Sequence, residues 1–160
     1  MHRIIAIDPG VTTGICTARL KADYLFVTPN QVKATLAQMY TILNDFIGVG
    51  STQTHVIYED FEYRNQARAG LDLTPVKIIG VIQLIQECNR TGSTIFYRQT
   101  AAMGKAYYSD DKLKELGIYK KGVPHGMDAT RHLMHWLEFR AGAQYTPEGL
   151  IENLHISLTN

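Results

Sequence analysis

The sequence has few cysteines, little net charge and no long apolar run. Its two cysteines, Cys16 and Cys88, show no CxxC spacing, and no secretory leader follows Met1, so we expect a reduced, cytosolic protein. The most apolar run, residues 78–85, is far shorter than the ~20 residues of a membrane helix. A formal charge of +1 excludes a protein that is basic all over. A polyanion would therefore be bound by a local patch.

The 160 residues, 45% of them hydrophobic, are enough for one globular domain with a core and too few for a second. An acidic residue near the start stands out. Residues 3–7 predict a short buried strand that Asp8 ends, and Pro9-Gly10 then turns the chain. A carboxylate among apolar neighbours is costly to desolvate unless it is paired, hydrogen-bonded or bound to a cation. The alternative is that Asp8 only caps the turn.

A second strand ends in acid further along the chain. Residues 14–20 and 23–27 predict the rest of an antiparallel meander, and residues 31–47 have the apolar period of an amphipathic helix capped by Asn30. Residues 54–61 then predict a strand whose end carries Glu59. Because a strand reached through a helix crossover lies parallel to the first strand, Glu59 should reach the same sheet edge as Asp8. Glu62 is the reserve if the strand bulges.

The last third of the chain predicts a helix over 73–89, a strand over 93–98 and a short helix capped by Ser109, with no strong period over 99–108. A final helix should begin at His125 and run to about residue 140. His125 and Asp128 are three apart and therefore share one face of its first turn. His132 and His135 lie further along the helix, and we interpret them as packing or surface residues.

The order of these elements resembles the RNase H-like superfamily, and within it the RuvC-type Holliday junction resolvases, especially the compact bacteriophage versions. The resemblance is carried by Ile7-Asp8-Pro9-Gly10 with Thr13-Gly14, by Tyr58-Glu59 with Phe61, and by His125-Gly126-Met127-Asp128-Ala129. It implies an α/β, three-layer RNase H-like fold, with a mixed five-stranded sheet flanked by helices. Residues 1–140 would form the nuclease domain, and residues 141–160 a C-terminal extension of it.

The resemblance also implies a metal-dependent, structure-specific DNA endonuclease that resolves Holliday junctions and other branched DNA by paired phosphodiester hydrolysis. Its catalytic residues and metal ligands would be Asp8, Glu59, His125 and Asp128, with His125 standing where many relatives have aspartate. Two Mg²⁺ ions per active site are expected, with Mn²⁺ as a substitute, because carboxylate oxygens suit these ions and Mn²⁺ accepts nitrogen more readily. Paired nicks imply a homodimer, and no small-molecule cofactor or membrane is expected.

Candidate DNA contacts flank the acidic residues in the sequence. Basic side chains that could hold phosphates are common between and after the two acidic strands, and the resemblance favours Lys105 and Lys112 among them. Phe61 and Tyr63 could stack on an unpaired base, although an aromatic residue after a strand is usually core. The predicted DNA-binding set is Phe61, Arg64, Arg68, Lys105, Lys112 and Lys120, with Lys114 and Lys121 as further basic candidates.

Other functions stay open at this point. The segment DPGVTTG over residues 8–14 is also similar to the phosphate loop of the actin, Hsp70 and sugar-kinase superfamily, although those proteins use two such domains. A YqgF (RuvX)-like RNA nuclease is a second alternative, and a nucleic-acid-binding relative without catalysis is a third. The HxxD helix start has no evident role in the kinase-like interpretation.

Overall fold

The computed structural model describes residues 1–48, 53–61, 72–89, 92–141 and 155–159. Six strands and five α-helices occur in these parts of the chain. The strands are β1 (His2–Asp8), β2 (Thr13–Lys21), β3 (Tyr24–Val32), β4 (Gln53–Glu59), β5 (Thr94–Gln99) and β6 (His155–Leu158). The helices are α1 (Leu36–Ile47), α2 (Thr74–Cys88), α3 (Ala101–Tyr107), α4 (Asp110–Glu115) and α5 (Pro124–Trp136), and a π-helical turn, Leu137–Ala141, follows α5.

The strands form one mixed sheet in the order β5-β4-β1-β2-β3-β6. The meander β1-β2-β3 is antiparallel, whereas β4 pairs with β1, β5 with β4, and β6 with β3 in parallel. The crossover through α1 therefore returns the chain beside its first strand, as the sequence predicted. The carboxyl ends of β1 and β4 lie next to each other, because Ile7 is paired with Tyr58.

Alternation along the strands divides the core into two halves, one on each face of the sheet. On one face, residues such as Ile4 and Ile57 pack against Leu133 and Trp136 of α5. On the other, residues such as Ile5 pack against the apolar sides of α1 and α2. This arrangement is the predicted three-layer α/β fold. None of the helices in the described ranges is long and apolar enough to cross a bilayer.

The sheet has six strands, not the predicted five, because β6 pairs with the Tyr24–Val27 part of β3. The predicted helix over 31–47 begins too early. β3 continues through Pro29 to Val32, and Thr35 caps α1 in a capping box with Gln38. Pro29 lies beyond the stretch of β3 that β6 pairs, where a missing N–H costs the sheet little.

The segment with no clear period, residues 99–108, contains α3. Its seven residues are too few to show a helical repeat in the sequence. The last helix begins at Pro124 and ends as an α-helix at Trp136, and the π-helical turn carries it to residue 141. The sequence Thr146-Pro147-Glu148 also predicts the start of a small helix, but it lies outside the described residues.

Candidate metal centre

Asp8 is the last residue of β1, at the edge of the sheet where β4 also ends. On its other side it is paired with Gly14, the second residue of β2. The turn between β1 and β2 is closed by a hydrogen bond that the Thr13 hydroxyl donates to the carbonyl oxygen of Gly10, at 2.9 Å. The DPG turn therefore holds the start of β2 beside the Asp8 carboxylate.

Two glycines allow the first turn of α5 to lie directly on this edge. A Cβ added to Gly14 would stand 1.9 Å from the carbonyl oxygen of His125, and one added to Gly126 would stand 2.6 Å from the carbonyl oxygen of Asn30. Either contact is too short for real atoms, so the backbones meet only because both residues lack a side chain. The side chain of Gln31 then accepts a hydrogen bond from the backbone N–H of His125, at 3.2 Å.

This packing brings three predicted ligands together. Asp8, His125 and Asp128 each present a ligand atom within 4.8 Å of the other two, and among the described residues they are the group with metal-ligand geometry. The Nδ1 atom of His125 lies 3.4 Å from Oδ2 of Asp8. The side chain of His125 is 45% exposed and that of Asp8 is 15% exposed, so the cluster opens to solvent on the histidine side.

The electrostatics of the cluster are unfavourable for a bare carboxylate. Burial, the charge of Glu59 and the charge of Asp128 together raise the pKa of the Asp8 carboxyl to about 6, from an ordinary value of 3.8, although His125 partly offsets them. Gathering negative charge in this way costs free energy unless a cation balances it. The donor set, two carboxylates and an imidazole with a third carboxylate beside them, is one that divalent cations accept.

Glu59 is the third carboxylate. It is the last residue of β4, and it lies on the face of the sheet that α5 covers. Its Oε2 atom is hydrogen-bonded to Nε2 of His132 at 2.8 Å. The Nδ1 atom of His132 contacts Oε1 of Gln99, also at 2.8 Å. His132 is therefore buried, as the packing interpretation expected, but it is also a polar neighbour of Glu59, which the sequence did not predict.

Two basic side chains flank Asp128. Lys105 of α3 places its ammonium 3.4 Å from Oδ2, and Arg131 of α5 places its guanidinium 2.5 Å from Oδ1. Arg131 is also held by Asp110 and by the carbonyl oxygen of Tyr108, and its side chain is only 13% exposed. Lys105 is 60% exposed. Arg131 therefore fixes the Asp128 carboxylate, whereas Lys105 is placed to move toward another anion.

A cleft lies beside the cluster. Its volume is about 310 Å³. It is bounded by the DPG turn, by the end of β4, and by the beginnings of α2 and α3. Glu59 and Lys105 line it together with residues of less chemical interest, which are Pro9, Asp60, Phe61, Pro75, Ile79 and Ala101. Asp60 contacts Arg98 and accepts the backbone N–H of Phe61, so it closes the strand end.

The residues predicted to contact DNA lie at several separate places in the structure. Lys105 is at the cluster, and Lys120, which precedes α5, reaches the carbonyl oxygen of Pro29 at 3.5 Å. The ammonium of Lys112 lies over the Tyr108 ring at 4.3 Å. Phe61 is half-buried and packs against the α1 and α2 side of the core. Arg64 and Arg68 lie outside the described residues, as do Tyr63 and the reserve acid Glu62.

Sequence reasoning missed several residues that position the site. Gln31 was assigned to a helix, and it lies in β3 beside α5. Arg131 and His132 follow Asp128 at helical spacing, which indicates that they lie on the same side of the helix. Their contacts with Asp110, Gln99 and Glu59 join distant parts of the chain, and the spacing does not predict them. Gln99 carried no signal in the sequence.

Comparisons with known proteins agree with this geometry at the level of the fold. No protein-family model matches the chain, and no curated protein matches it. RuvC of T. thermophilus, solved in complex with a Holliday junction substrate, is similar with a TM-score of 0.62 and 12% identity, over 90% of this chain and 97% of that one. The yeast mitochondrial Holliday junction resolvase Ydc2 is similar with a TM-score of 0.63 and 13% identity, over 91% of this chain and 82% of that one. The chain therefore has the RNase H-like fold of the RuvC-type resolvases, which confirms the fold predicted from the sequence.

Proposed function

We propose that the protein is a metal-dependent endonuclease that cuts four-way junctions and related branched DNA. The observation that carries the proposal is the meeting of Asp8, His125 and Asp128 within 4.8 Å at one edge of the sheet. Glu59 lies beside them, close enough for its charge to raise the pKa of Asp8. Acidic groups gathered from three separate elements, beside an open cleft, suit a reaction on a phosphodiester better than a purely structural role.

We assign the metal ligands to Asp8, His125 and Asp128, with Glu59 completing the set. Mg²⁺ is the proposed ion, because most of the donors are carboxylate oxygens, and Mn²⁺ should substitute because it accepts the His125 nitrogen readily. Two such ions bound together stabilise the attacking and departing oxygens of an in-line phosphodiester displacement.

The remaining side chains of the site would bind and orient the DNA. Lys105 lines the cleft and is exposed, so a phosphate entering there can replace Asp128 as its partner. Lys120 lies near the first turn of α5, on the β3 side of the cluster. Contacts of this kind supply affinity without reading sequence. We retain Lys112, Arg64, Arg68 and Phe61 as weaker candidates for the same role.

Branched DNA is the proposed substrate for two reasons. Both structural neighbours are Holliday junction resolvases by name, and one was solved with a junction. The chain itself offers a surface for a second copy, as two symmetric nicks require. Helix α2 buries four isoleucines. Val76 and Leu84 on this helix, and Leu73 just before it, are between 40% and 56% exposed. We propose this side of α2 as the homodimer contact.

The proposal is tested by incubating the protein with four labelled substrates: a four-way junction, a linear duplex of the same sequence, a ribosomal RNA precursor and ATP. We expect paired nicks across the junction with Mg²⁺ or Mn²⁺, none with EDTA, and little cutting of the duplex. Asp8→Asn should bind the junction as the unaltered protein does and fail to cut it. RNA cleavage without junction cleavage would indicate an RNA nuclease instead. ATP turnover without nicking would indicate a kinase-like domain.

A further inference from the structure

We propose that His132, fixed by Gln99, is a positioning residue that holds the Glu59 carboxylate at the metal cluster. The inference rests on the proposed function and adds to it a residue that touches neither the ions nor the DNA. The histidine lies one turn after Asp128 on α5 and is 1% exposed. Both of its ring nitrogens are engaged, Nε2 by Glu59 and Nδ1 by Gln99.

The orientation of the His132 ring follows from the strand ends beneath it. Glu59 and Gln99 are paired neighbours at the ends of β4 and β5. The Nε2 group of Gln99 donates to the backbone carbonyl oxygen of His132 at 3.3 Å, which leaves its Oε1 as the acceptor for Nδ1–H. The amide is therefore held by two contacts with one residue. Because Gln99 Oε1 and the Glu59 carboxylate are both acceptors, the ring donates to both only when each of its nitrogens carries a hydrogen.

The contact with His132 favours one conformation of the Glu59 side chain. A glutamate has three rotatable bonds and loses considerable entropy when it is fixed. The negative charges of Asp8 and Asp128 also repel the Glu59 carboxylate from the cluster. A hydrogen bond from the buried His132 ring to Oε2 of Glu59 offsets both the entropy loss and the repulsion. It leaves Oε1 of Glu59 able to bind a metal ion.

Packing alone does not account for a histidine here. Its neighbours on α5, Ala129 and Leu133, are buried and apolar, and an apolar residue would fill the same space without the cost of burying a polar ring. Gly104 adds a second sign of a built arrangement. A Cβ on Gly104 would stand 3.3 Å from Nδ1 of His132 and 3.2 Å from Cβ of Arg131, so a side chain there would require this turn of α5 or α3 to shift by a few tenths of an ångström.

The arrangement has a parallel at Asp128. Arg131 and His132 are consecutive residues of α5. Arg131, which is partly buried, is bonded to Asp128, and His132, which is buried, is bonded to Glu59. Helix α5 thus supplies two proposed ligands, His125 and Asp128. One turn further along, it supplies two residues that hold the carboxylates of Asp128 and Glu59. Supports of this kind affect how firmly a metal is held more than how DNA is bound.

The test compares His132→Leu, His132→Gln and a matched control, His135→Leu, in the full-length protein. His135 lies one turn further along α5 and packs against the rings of Tyr107 and Phe139. Mn²⁺ binding to the DNA-free protein is measured by electron paramagnetic resonance, and junction binding is measured in EDTA. We expect His132→Leu to weaken Mn²⁺ binding by about 10- to 100-fold and to leave junction binding within about twofold. His132→Gln, whose amide can still donate to Glu59, should recover part of the loss, and His135→Leu should bind Mn²⁺ normally.

A double-mutant cycle keeps the inference falsifiable if His132→Leu is unstable. Glu59→Gln, His132→Leu and the double variant are unfolded by urea in EDTA, and the two single losses of stability should add up to more than the loss in the double variant. Additive losses, or Mn²⁺ affinity unchanged in His132→Leu, would overturn the inference. Failure of the unaltered protein to cut any junction would instead overturn the proposed function, because the Mn²⁺ measurement does not depend on cleavage.

Discussion

The carbonyl oxygen of His125 lies directly over Gly14, so close that a Cβ on the glycine would stand 1.9 Å from it. This contact joins the start of β2 to the first turn of α5. Because Gly14 is also the sheet partner of Asp8, a single small residue sets the separation between the carboxylate of β1 and the ligands of α5. The proposed metal site therefore depends on a residue that has no side chain of its own.

Gly14→Ala should damage the site more than any other glycine substitution of equal size. The added methyl group would push α5 away from the sheet, and overpacking of this kind costs about 1–3 kcal/mol of unfolding free energy. Cleavage and Mn²⁺ affinity should both fall sharply. Gly80→Ala is the control for stability and Mn²⁺ affinity, because its Cβ would meet nothing within 4 Å and it lies inside α2. It is not a control for cleavage, since it lies on the side of α2 proposed as the homodimer contact. Urea unfolding should show Gly80→Ala equal to or slightly more stable than the unaltered protein. Equal effects of the two substitutions would contradict the account.

Asp8→Asn should stabilise the metal-free fold. The folded-state pKa of Asp8 is raised to about 6 by burial and by its acidic neighbours, so stability is lost as the pH rises from 3.8 through 6 and the carboxyl ionises. At about 1.4 kcal/mol per pKa unit, the penalty above pH 6 is at most about 3 kcal/mol. Asparagine avoids it. Thermal unfolding in EDTA should therefore give Asp8→Asn the higher Tm at pH 7.5, with the difference disappearing below pH 4. A lower Tm for Asp8→Asn at pH 7.5 would mean that the cluster is not repulsive.

Lys105→Gln should weaken junction binding without changing the fold. The lysine is 60% exposed and its pair with Asp128 is long, at 3.4 Å, so removing it should alter stability by less than about 1 kcal/mol. If it contacts a phosphate, the slope of log affinity against log salt should become shallower by about one. Lys21→Gln, the same change of charge at the far end of β2, should leave the slope unaltered. Fluorescence anisotropy of a labelled junction over a salt series measures both, and equal slopes would remove Lys105 from the DNA contacts.

Leu84→Glu should separate the proposed homodimer. Leu84 is 56% exposed on α2, and a charge placed there would be buried against the second copy at a cost that a monomer avoids. Sedimentation velocity should show a dimer for the unaltered protein and a monomer for the variant, which should nick junctions on one strand at a time. Leu36→Glu, an exposed leucine of α1, is the control that should remain dimeric. A monomeric unaltered protein, or a dimeric Leu84→Glu, would exclude this interface.

The features that the sequence predicted well are those with local physical causes. A short apolar run marked the strand that ends at Asp8, and a β-branched and aromatic run marked the strand that carries Glu59. The crossover rule placed the ends of these strands side by side. The Ser109 cap was confirmed, since its hydroxyl accepts the backbone N–H of Lys112 at 3.2 Å. The start of α5 was also predicted within one residue. In each case a few neighbouring residues carry the whole signal.

The features that the sequence did not predict depend on partners far along the chain. β6 has only four residues, and it is a strand because β3 offers it an edge. Pro29 resembled a stop, and the sheet tolerates it where β6 no longer pairs. His132 has the helical spacing of a core residue, and only the fold brings it to Glu59, 73 positions earlier. Pattern and propensity hold no information on such contacts.

Diffraction from a crystal of the full-length protein soaked in Mn²⁺ tests the central claim most directly. The account predicts anomalous density in direct contact with Asp8, Asp128 and His125, and its loss in a crystal of Asp8→Asn soaked in the same way. Density that appears only elsewhere, or at the cluster equally in both crystals, would contradict the assignment of these residues as the metal centre.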